Sequence, residues 1–231
     1  MTSNPIYCAI DTLDIPKAAE LARAVAPHVG GLKLGMEFFY RNGAFGYAAL
    51  AEIGLPIFLD LKLHDIPNTV AQGLTALMHL RPAIVNVHIA GGREMMLAAR
   101  KAIDAADTKT RLIGVSVLTS LNTSDLSDIG VERSTQDQVI ALARLAQSCG
   151  LDGIVCSAHE ITAIRDHLGA DFNLIVPGIR PTGSAVADQK RVMTPAQAMA
   201  AGADILVIGR PITQQQDPAA AAAAIAAELG L

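Results

Sequence analysis

The densest group of chemically capable side chains lies in the run Leu59-Asp60-Leu61-Lys62-Leu63-His64-Asp65-Ile66-Pro67-Asn68-Thr69. On a strand, residues two apart share a face. Asp60 and Lys62 therefore point together, and Leu59, Leu61 and Leu63 point away. Lys33, at the end of a neighbouring apolar run, stands beside Asp60, and Asp65 follows Lys62 as the chain leaves the strand. An alternating Lys, Asp, Lys, Asp array results. Taken singly, Asp65 before Ile66-Pro67 reads as a helix N-cap, and Asp60 with Lys62 as an ion pair of little energetic worth. Gathering four charges in one place is costly and brings little net stability, so a functional array is the better reading. A lysine between carboxylates is favoured as the ammonium, a poor nucleophile but an aimed proton donor. A carboxylate fixed beside it repels an anionic substituent. Those properties suit a reaction that expels an anion and protonates the carbanion left behind.

A second cluster is made by Val176-Pro177-Gly178-Ile179-Arg180 and Ile208-Gly209-Arg210. Glycine permits close backbone approach, and the arginine fork grips phosphate. The polar stretch 181–191 between them, with Gln189, Lys190 and Arg191, reads either as a solvated loop or as a lid over that phosphate. Metal binding has little support. His28 and His167 read as helix-surface residues, His79 lies near a helix end, and His64 and His88 read as packing or supporting groups; no His-Glu-x-x-His spacing occurs. No Ser or Cys sits in a nucleophile-elbow context.

The elements that must hold these groups are short, nearly continuous apolar runs at residues 6–10, 31–34, 57–61, 83–88, 112–118, 153–156, 174–176 and 205–208. Such runs suit strands buried on both faces of a parallel sheet. Helical periodicity intervenes: Val70, Leu74, Leu77 and Met78 make one stripe, and Val139, Leu142, Leu145 and Cys149 another. Eight alternations without a hairpin signal predict a (β/α)8 TIM barrel, with residues 1–231 as a single domain. The alternative, an open doubly wound sheet, expects a Gly-rich turn after its first strand, where Ile10-Asp11-Thr12-Leu13-Asp14 stands instead. The Ala-rich tail 219–227 predicts a closing helix. In the barrel, strand exits at the C-terminal face carry function. Asp11, Lys33, Asp60, Lys62, Asp65, His88, Thr119, Pro177, Arg180, Gly209 and Arg210 all fall there.

Composition narrows the classes further. The chain has 231 residues, 51% hydrophobic, with a net charge of -4, which excludes a disordered segment. No basic run or aromatic-basic interleaving suggests nucleic acid, and no apolar run approaches the ~20 residues of a membrane helix. The three cysteines form no C-x-x-C and fit a reducing compartment. With no basic-then-apolar segment at the N-terminus, a cytoplasmic globular protein is expected.

The run 58–69 resembles the signature of the orotidine 5'-phosphate decarboxylases. Asp11, Gly31-Leu32-Lys33, Asn86-Val87-His88, Leu118-Thr119-Ser120, Val176-Pro177-Gly178-Ile179-Arg180 and Ile208-Gly209-Arg210 are similar to the bacterial form and occur in the family's order. The resemblance implies decarboxylation of orotidine monophosphate to uridine monophosphate in pyrimidine synthesis, with no metal and no cofactor. By position, Lys62 protonates C6, Asp60 sits against the departing carboxylate, and Lys33 and Asp65 complete the network and help hold the ribose. Asp11 is similar to a ribose contact, Thr119 to a pyrimidine contact, and Pro177 lies facing the base. Arg180, Gln189 and Arg210, beside Gly209, match phosphate-gripping positions. The family is dimeric, which implies a homodimer with Asp65 and Thr69 reaching into the partner's site. The rivals are a Mg²⁺-dependent hexulose-phosphate synthase, a pentulose-phosphate epimerase, which expects metal-binding histidines where Lys33 and Lys62 stand, and a catalytically silent binding barrel. The loop 122–134 carries no usable signal.

Overall fold

Apolar runs too short to span more than one layer must pair side by side, and in the computed structural model, which describes residues 4–181 and 193–231, they do so in parallel. The strands are β1 (Ile6–Ala9), β2 (Gly31–Gly35), β3 (Ile57–Leu63), β4 (Ile84–His88), β5 (Arg111–Val115), β6 (Gly153–Val155), β7 (Asn173–Pro177) and β8 (Ile205–Ile208). They close in sequence order into a barrel, β1 pairing with both β2 and β8, so the open-sheet alternative is excluded. Alternate residues face inward and outward. Tyr7, Ala9, Phe58, Ile84, Ile113, Ile175, Ile205 and Val207 fill the barrel. Ile6, Cys8, Leu32, Leu34, Leu59 and Leu61 face outward, into the core shared with the helices.

The outer layer is α1 (Ile15–Val25), α2 (Met36–Ala51), α3 (Pro67–Leu77), α4 (Gly92–Ala105), α5 (Thr123–Asp128), α6 (Thr135–Ser148), α7 (Ile161–Leu168), α8 (Pro195–Ala201), α9 (Arg210–Thr213) and α10 (Pro218–Glu228). The Ala-rich tail forms α10, capped by Asp217 through Ala220 N, with Ala222, Ile225 and Ala226 buried. In α3 the expected stripe holds at Val70 and Leu74, with Met78 buried just beyond, whereas Leu77 packs only at its margin. In α6 the buried line is Val139, Ala143 and Ala146, whereas Leu142 and Leu145 pack only at its margin. Small residues let that helix sit closer than a leucine stripe allows. β5 ends at Val115, short of the expected 118: Ser116 is buried and its Oγ donates to Val155 O at 2.7 Å, turning the chain out of the sheet. Loop 122–134 contains α5, started by a capping box in which Asn122 and Asp125 satisfy each other's backbone N–H.

One side chain fastens the lower ends of β7 and β8. Arg165 of α7 donates to Gly202 O through Nε (3.0 Å) and Nη2 (2.7 Å), and to Phe172 O through Nη1 (2.7 Å). Its Nη2 also meets Asp204 Oδ2 at 2.6 Å, and that carboxylate accepts Leu174 N. Because several half-buried acceptors lose their donor at once, Arg165→Ala is expected to lower the unfolding free energy by about 3 kcal/mol. Urea denaturation measures this; a loss no larger than that of an exposed ion pair would show that the clamp is dispensable.

Candidate active site

At the C-terminal mouth the inward-facing positions change from apolar to charged. Lys33 is the register partner of Phe58, and Asp60 follows two residues above Phe58 on the same face. Asp60 Oδ1 accepts from Lys62 Nζ at 2.7 Å, and Asp60 Oδ2 lies 3.4 Å from Lys33 Nζ. Lys33 Nζ also faces Asp11 Oδ1 at 3.5 Å, across the exit of β1. Gly35 makes room for this ammonium: a Cβ there would stand 3.1 Å from Lys33 Nζ. The side chains of Lys33 and Asp60 are only 12% and 11% exposed, and Lys62 is more open at 26%.

Burial by itself raises the Asp60 carboxyl, but the Lys33 and Lys62 ammonium groups outweigh it. Hydrogen bonds from Lys62 and Asn86 add to them, and the carboxyl is held below the ordinary carboxylate range. Burial pushes the Cys8 thiol up to about 12, Asp11 adding to the rise and Lys33 opposing it, so Cys8 stays protonated and inert. His88 stacks against His64, ring centroids 5.4 Å apart, and is lowered by burial and then by His64 and Lys62, against the pull of Asp60. His64 is exposed and His88 half-buried, and neither lines the cavity described below. Among the described residues no three His, Cys, Asp or Glu side chains gather as a metal site.

The Asp60 to Lys62 segment is not a regular strand. Leu59 pairs with Val85 and Leu63 with Val87, so β3 advances four residues while β4 advances two. Lys62 lies inside this irregularity at φ 52, a left-handed conformation that costs a non-glycine residue about 1–3 kcal/mol. The two charges share the mouth as alternation predicts, but a distorted strand brings them together. The polar group closing the gap is Asn86, which is 1% exposed. Its Oδ1 accepts from Lys62 N at 2.8 Å and its Nδ2 donates to Asp60 Oδ1 at 2.7 Å. Sequence reasoning assigned no role to Asn86. The available signal was a lone amide in the apolar run 83–88, on the inward face.

Lys33, Asp60 and Lys62 form one side of a cavity of about 180 Å³, with Thr119 and Pro177 at its rim and an apolar wall that includes Phe58. Asp11 and Arg210 lie together in an adjoining open groove. Gly209 separates them closely: a Cβ there would be 3.7 Å from Asp11 Oδ2. Arg210 opens α9 and is exposed, whereas Arg180 is buried and its Nη1 donates to Ile179 O at 2.9 Å. Gln189 and the expected lid lie outside the described residues, apart from Pro181.

The four-charge array expected within one chain is corrected here: Asp65 is exposed, and among the described residues it makes no ion pair with Lys62. Nor does it cap α3, whose N-cap is Ile66 without a side-chain bond; Asp65 Oδ1 accepts its neighbour Ile66 N, at 2.7 Å. Thr69 is exposed in the first turn of α3, and Ile66 between them is 67% exposed. The chain leaves the strand at Leu63 and carries Asp65 away from its own Lys62.

A lowered Asp60 value fixes the sign of a pH effect. Its ionised form contributes stability above the ordinary carboxylate range, and that contribution is lost as pH falls through the lowered value. The stability gap between the native sequence and Asp60→Asn, followed by urea denaturation between about pH 7 and pH 3, is expected to narrow toward acid. A gap independent of pH would show that Asp60 does not titrate as a stabilised anion.

The chain is similar to known proteins over nearly its whole length. Residues 4–225 match the model of the "Orotidine 5'-phosphate decarboxylase / HUMPS family". The orotidine 5'-phosphate decarboxylase of Sphingopyxis alaskensis is 56% identical over 98% of this chain and 100% of its own length. That of Rhodospirillum rubrum is 52% identical over 99% of this chain and 95% of its own. The crystal structure of orotidine 5'-phosphate decarboxylase from Lactobacillus acidophilus superposes with a TM-score of 0.86 at 34% identity, covering 99% of this chain and 100% of that one. An uncharacterized conserved protein from Geobacillus kaustophilus superposes at 0.84 with 37% identity, covering 97% of this chain and 99% of that one. With the family model spanning nearly the whole chain and relatives above half identity, the chain belongs to the orotidine 5'-phosphate decarboxylase / HUMPS family.

Proposed function

We propose that this chain, residues 1–231 acting as one catalytic domain, is an orotidine 5'-phosphate decarboxylase that forms uridine 5'-phosphate for pyrimidine synthesis without metal or cofactor. The observation that carries the reading is the Lys62 ammonium 2.7 Å from the Asp60 carboxylate at the edge of a largely apolar cavity. The C6–carboxylate bond breaks, CO₂ leaves, the electron pair stays on C6, and Lys62 delivers a proton to it. Asp60 lies against the substrate carboxylate and disfavours its charge. Fixed charges in a poorly solvated site act strongly on the developing anion and need no reorganisation. The ~8–23 kcal/mol that enzymes remove from barriers sets the scale required.

The cavity is smaller than the ~300–1,000 Å³ of pockets for drug-sized ligands. It takes the pyrimidine ring against Thr119 and Pro177, while the ribose crosses toward Lys33 and Asp11. The phosphate lies beyond, at Arg210 and Gly209 and with Arg180, where its binding energy supports chemistry at the ring; the family resemblance alone assigns Gln189 to it. Lys33 Nζ stands between Asp11 and Asp60, at 3.5 and 3.4 Å, so both carboxylates are already matched by an ammonium. That argues for the decarboxylase over the Mg²⁺-dependent synthase.

The working form is a cytoplasmic homodimer. Asp65, Ile66 and Thr69 are exposed together at the start of α3, an acid, an apolar side chain and a hydroxyl offered outward. In a two-fold pair each site takes Lys62 from one chain and Asp65 and Thr69 from the other.

Purified protein is expected to consume orotidine 5'-phosphate, followed by the loss of its ultraviolet absorbance. Activity should survive exhaustive chelation; loss with EDTA and recovery with Mg²⁺ would favour the synthase. Folded Lys62→Ala is expected to lose at least about 10²-fold in kcat, because its proton donor is gone. The shared site has its own test. Lys62→Ala and Asp65→Ala homodimers, each impaired, are unfolded and refolded together in equal amounts. Random pairing makes half the dimers mixed, each with one intact site, so about a quarter of native activity returns. A mixture no better than its parents, with mixed dimers confirmed by mass, would place both residues in one chain's site.

A further inference from the structure

We infer that Asn86 is a positioning residue: its side-chain amide, set into the gap between β3 and β4, fixes both the Asp60 carboxylate and the backbone of Lys62 in the geometry the reaction uses. The inference rests on the decarboxylase reading for its kinetic consequence, and on the structure alone for the geometry.

Where β3 gains two residues over β4, the ladder is interrupted, and Lys62 N accordingly finds a side-chain acceptor, Asn86 Oδ1, at 2.8 Å. The other end of the same amide donates to Asp60 Oδ1, the oxygen that also holds Lys62 Nζ. One buried group thus ties together the backbone of the proton donor and the carboxylate that aims its ammonium. It does so at a residue in a left-handed conformation that needs outside support. Asn86 is 1% exposed and does not line the cavity, so it acts through Asp60 and Lys62.

The chemistry singles out an amide. Lys62 N–H needs an acceptor and the Asp60 carboxylate needs a donor, and a carboxamide offers both on one short, planar group without a change of protonation state. A carboxylate at this place supplies acceptors only and sets a second negative charge beside Asp60. A hydroxyl reaches one partner, not both. A methyl group leaves a buried N–H and a carboxylate oxygen short of a partner.

The test uses the full chain with Asn86→Ala, Asn86→Asp and Asn86→Ser. For folded Asn86→Ala, kcat should fall about 10²-fold, the scale of a small misplacement of catalytic groups, while KM stays within about threefold. The acid limb of kcat should move to higher pH, since a hydrogen bond that favours the Asp60 anion is gone. Asn86→Asp should move it further. In an Asp60→Asn background the same Asn86→Ala change should cost under about threefold, because its main partner is already altered. Should Asn86→Ala not fold, Asn86→Ser, which keeps one bond, serves for every measurement.

An independent readout is the titration of the Asp60 carboxyl, followed by carbon NMR in native and Asn86-substituted protein. Its midpoint should rise when the amide is lost, whether or not the protein turns over orotidine 5'-phosphate. A native protein inactive on that substrate but showing this rise would sink the decarboxylase reading and leave the positioning role standing. A native protein that is active, with a variant whose kcat stays within twofold and whose Asp60 midpoint is unmoved, would overturn the inference. A loss of activity that vanishes on correction for the folded fraction would overturn it too.

Discussion

Two ammonium groups share one carboxylate at the barrel mouth, and the carboxylate, Asp60, is almost wholly out of water. A buried charge in that position is tolerable only when every oxygen is matched by a charge or a donor. The surrounding architecture serves that requirement. Phe58 closes the barrel beneath it, Gly35 clears space for Lys33, and the ladder between β3 and β4 gives up its regular pairing so that Asn86 can reach in. The low polarity of the walls strengthens these interactions and makes any missing partner expensive. The left-handed turn at Lys62 belongs to the same bargain: conformational strain is accepted where the side chain must stand beside Asp60.

The strands were legible because burial on both faces writes the same apolar signal eight times, and the helices between them keep their own period. Charged positions at strand exits were legible because an apolar run that ends in Asp or Lys has few structural excuses. The irregularity in β3 was hidden, since the period-two argument assumes a straight strand and reaches the same facing for Asp60 and Lys62 either way. Asn86 was hidden for a related reason: a lone amide in an apolar run acquires meaning only when the register with the next strand is known. Asp65 misled because sequence proximity to Lys62 suggests contact, while the chain turns outward after Leu63. The end of β5 was placed too far along because Val117 and Leu118 are apolar for the sake of the cavity, not of the sheet.

The site is divided by function along the circumference of the barrel. In the proposed function, the charges assigned to the reacting ring come from β2 and β3, and the groups assigned to the sugar phosphate come from β1, β7 and β8. Closure makes these two sets neighbours. Asp11 after β1 and Arg210 after β8 share one groove because the first strand pairs with the last, Ile6 with Leu206 and Cys8 with Ile208.

That seam has a consequence for how the protein comes into being. Every other strand pair joins neighbours in sequence, so their pairing is nearly local, but the β1–β8 seam waits for almost the entire chain. Until then β1 and the most recently formed strand are open edges, free to pair with another molecule. β1 is only four residues long, which limits the template it offers during that interval. The groove between Asp11 and Arg210 does not exist on any partial barrel. Asp11 and Arg210 therefore come to one groove only when the last strand has joined the first.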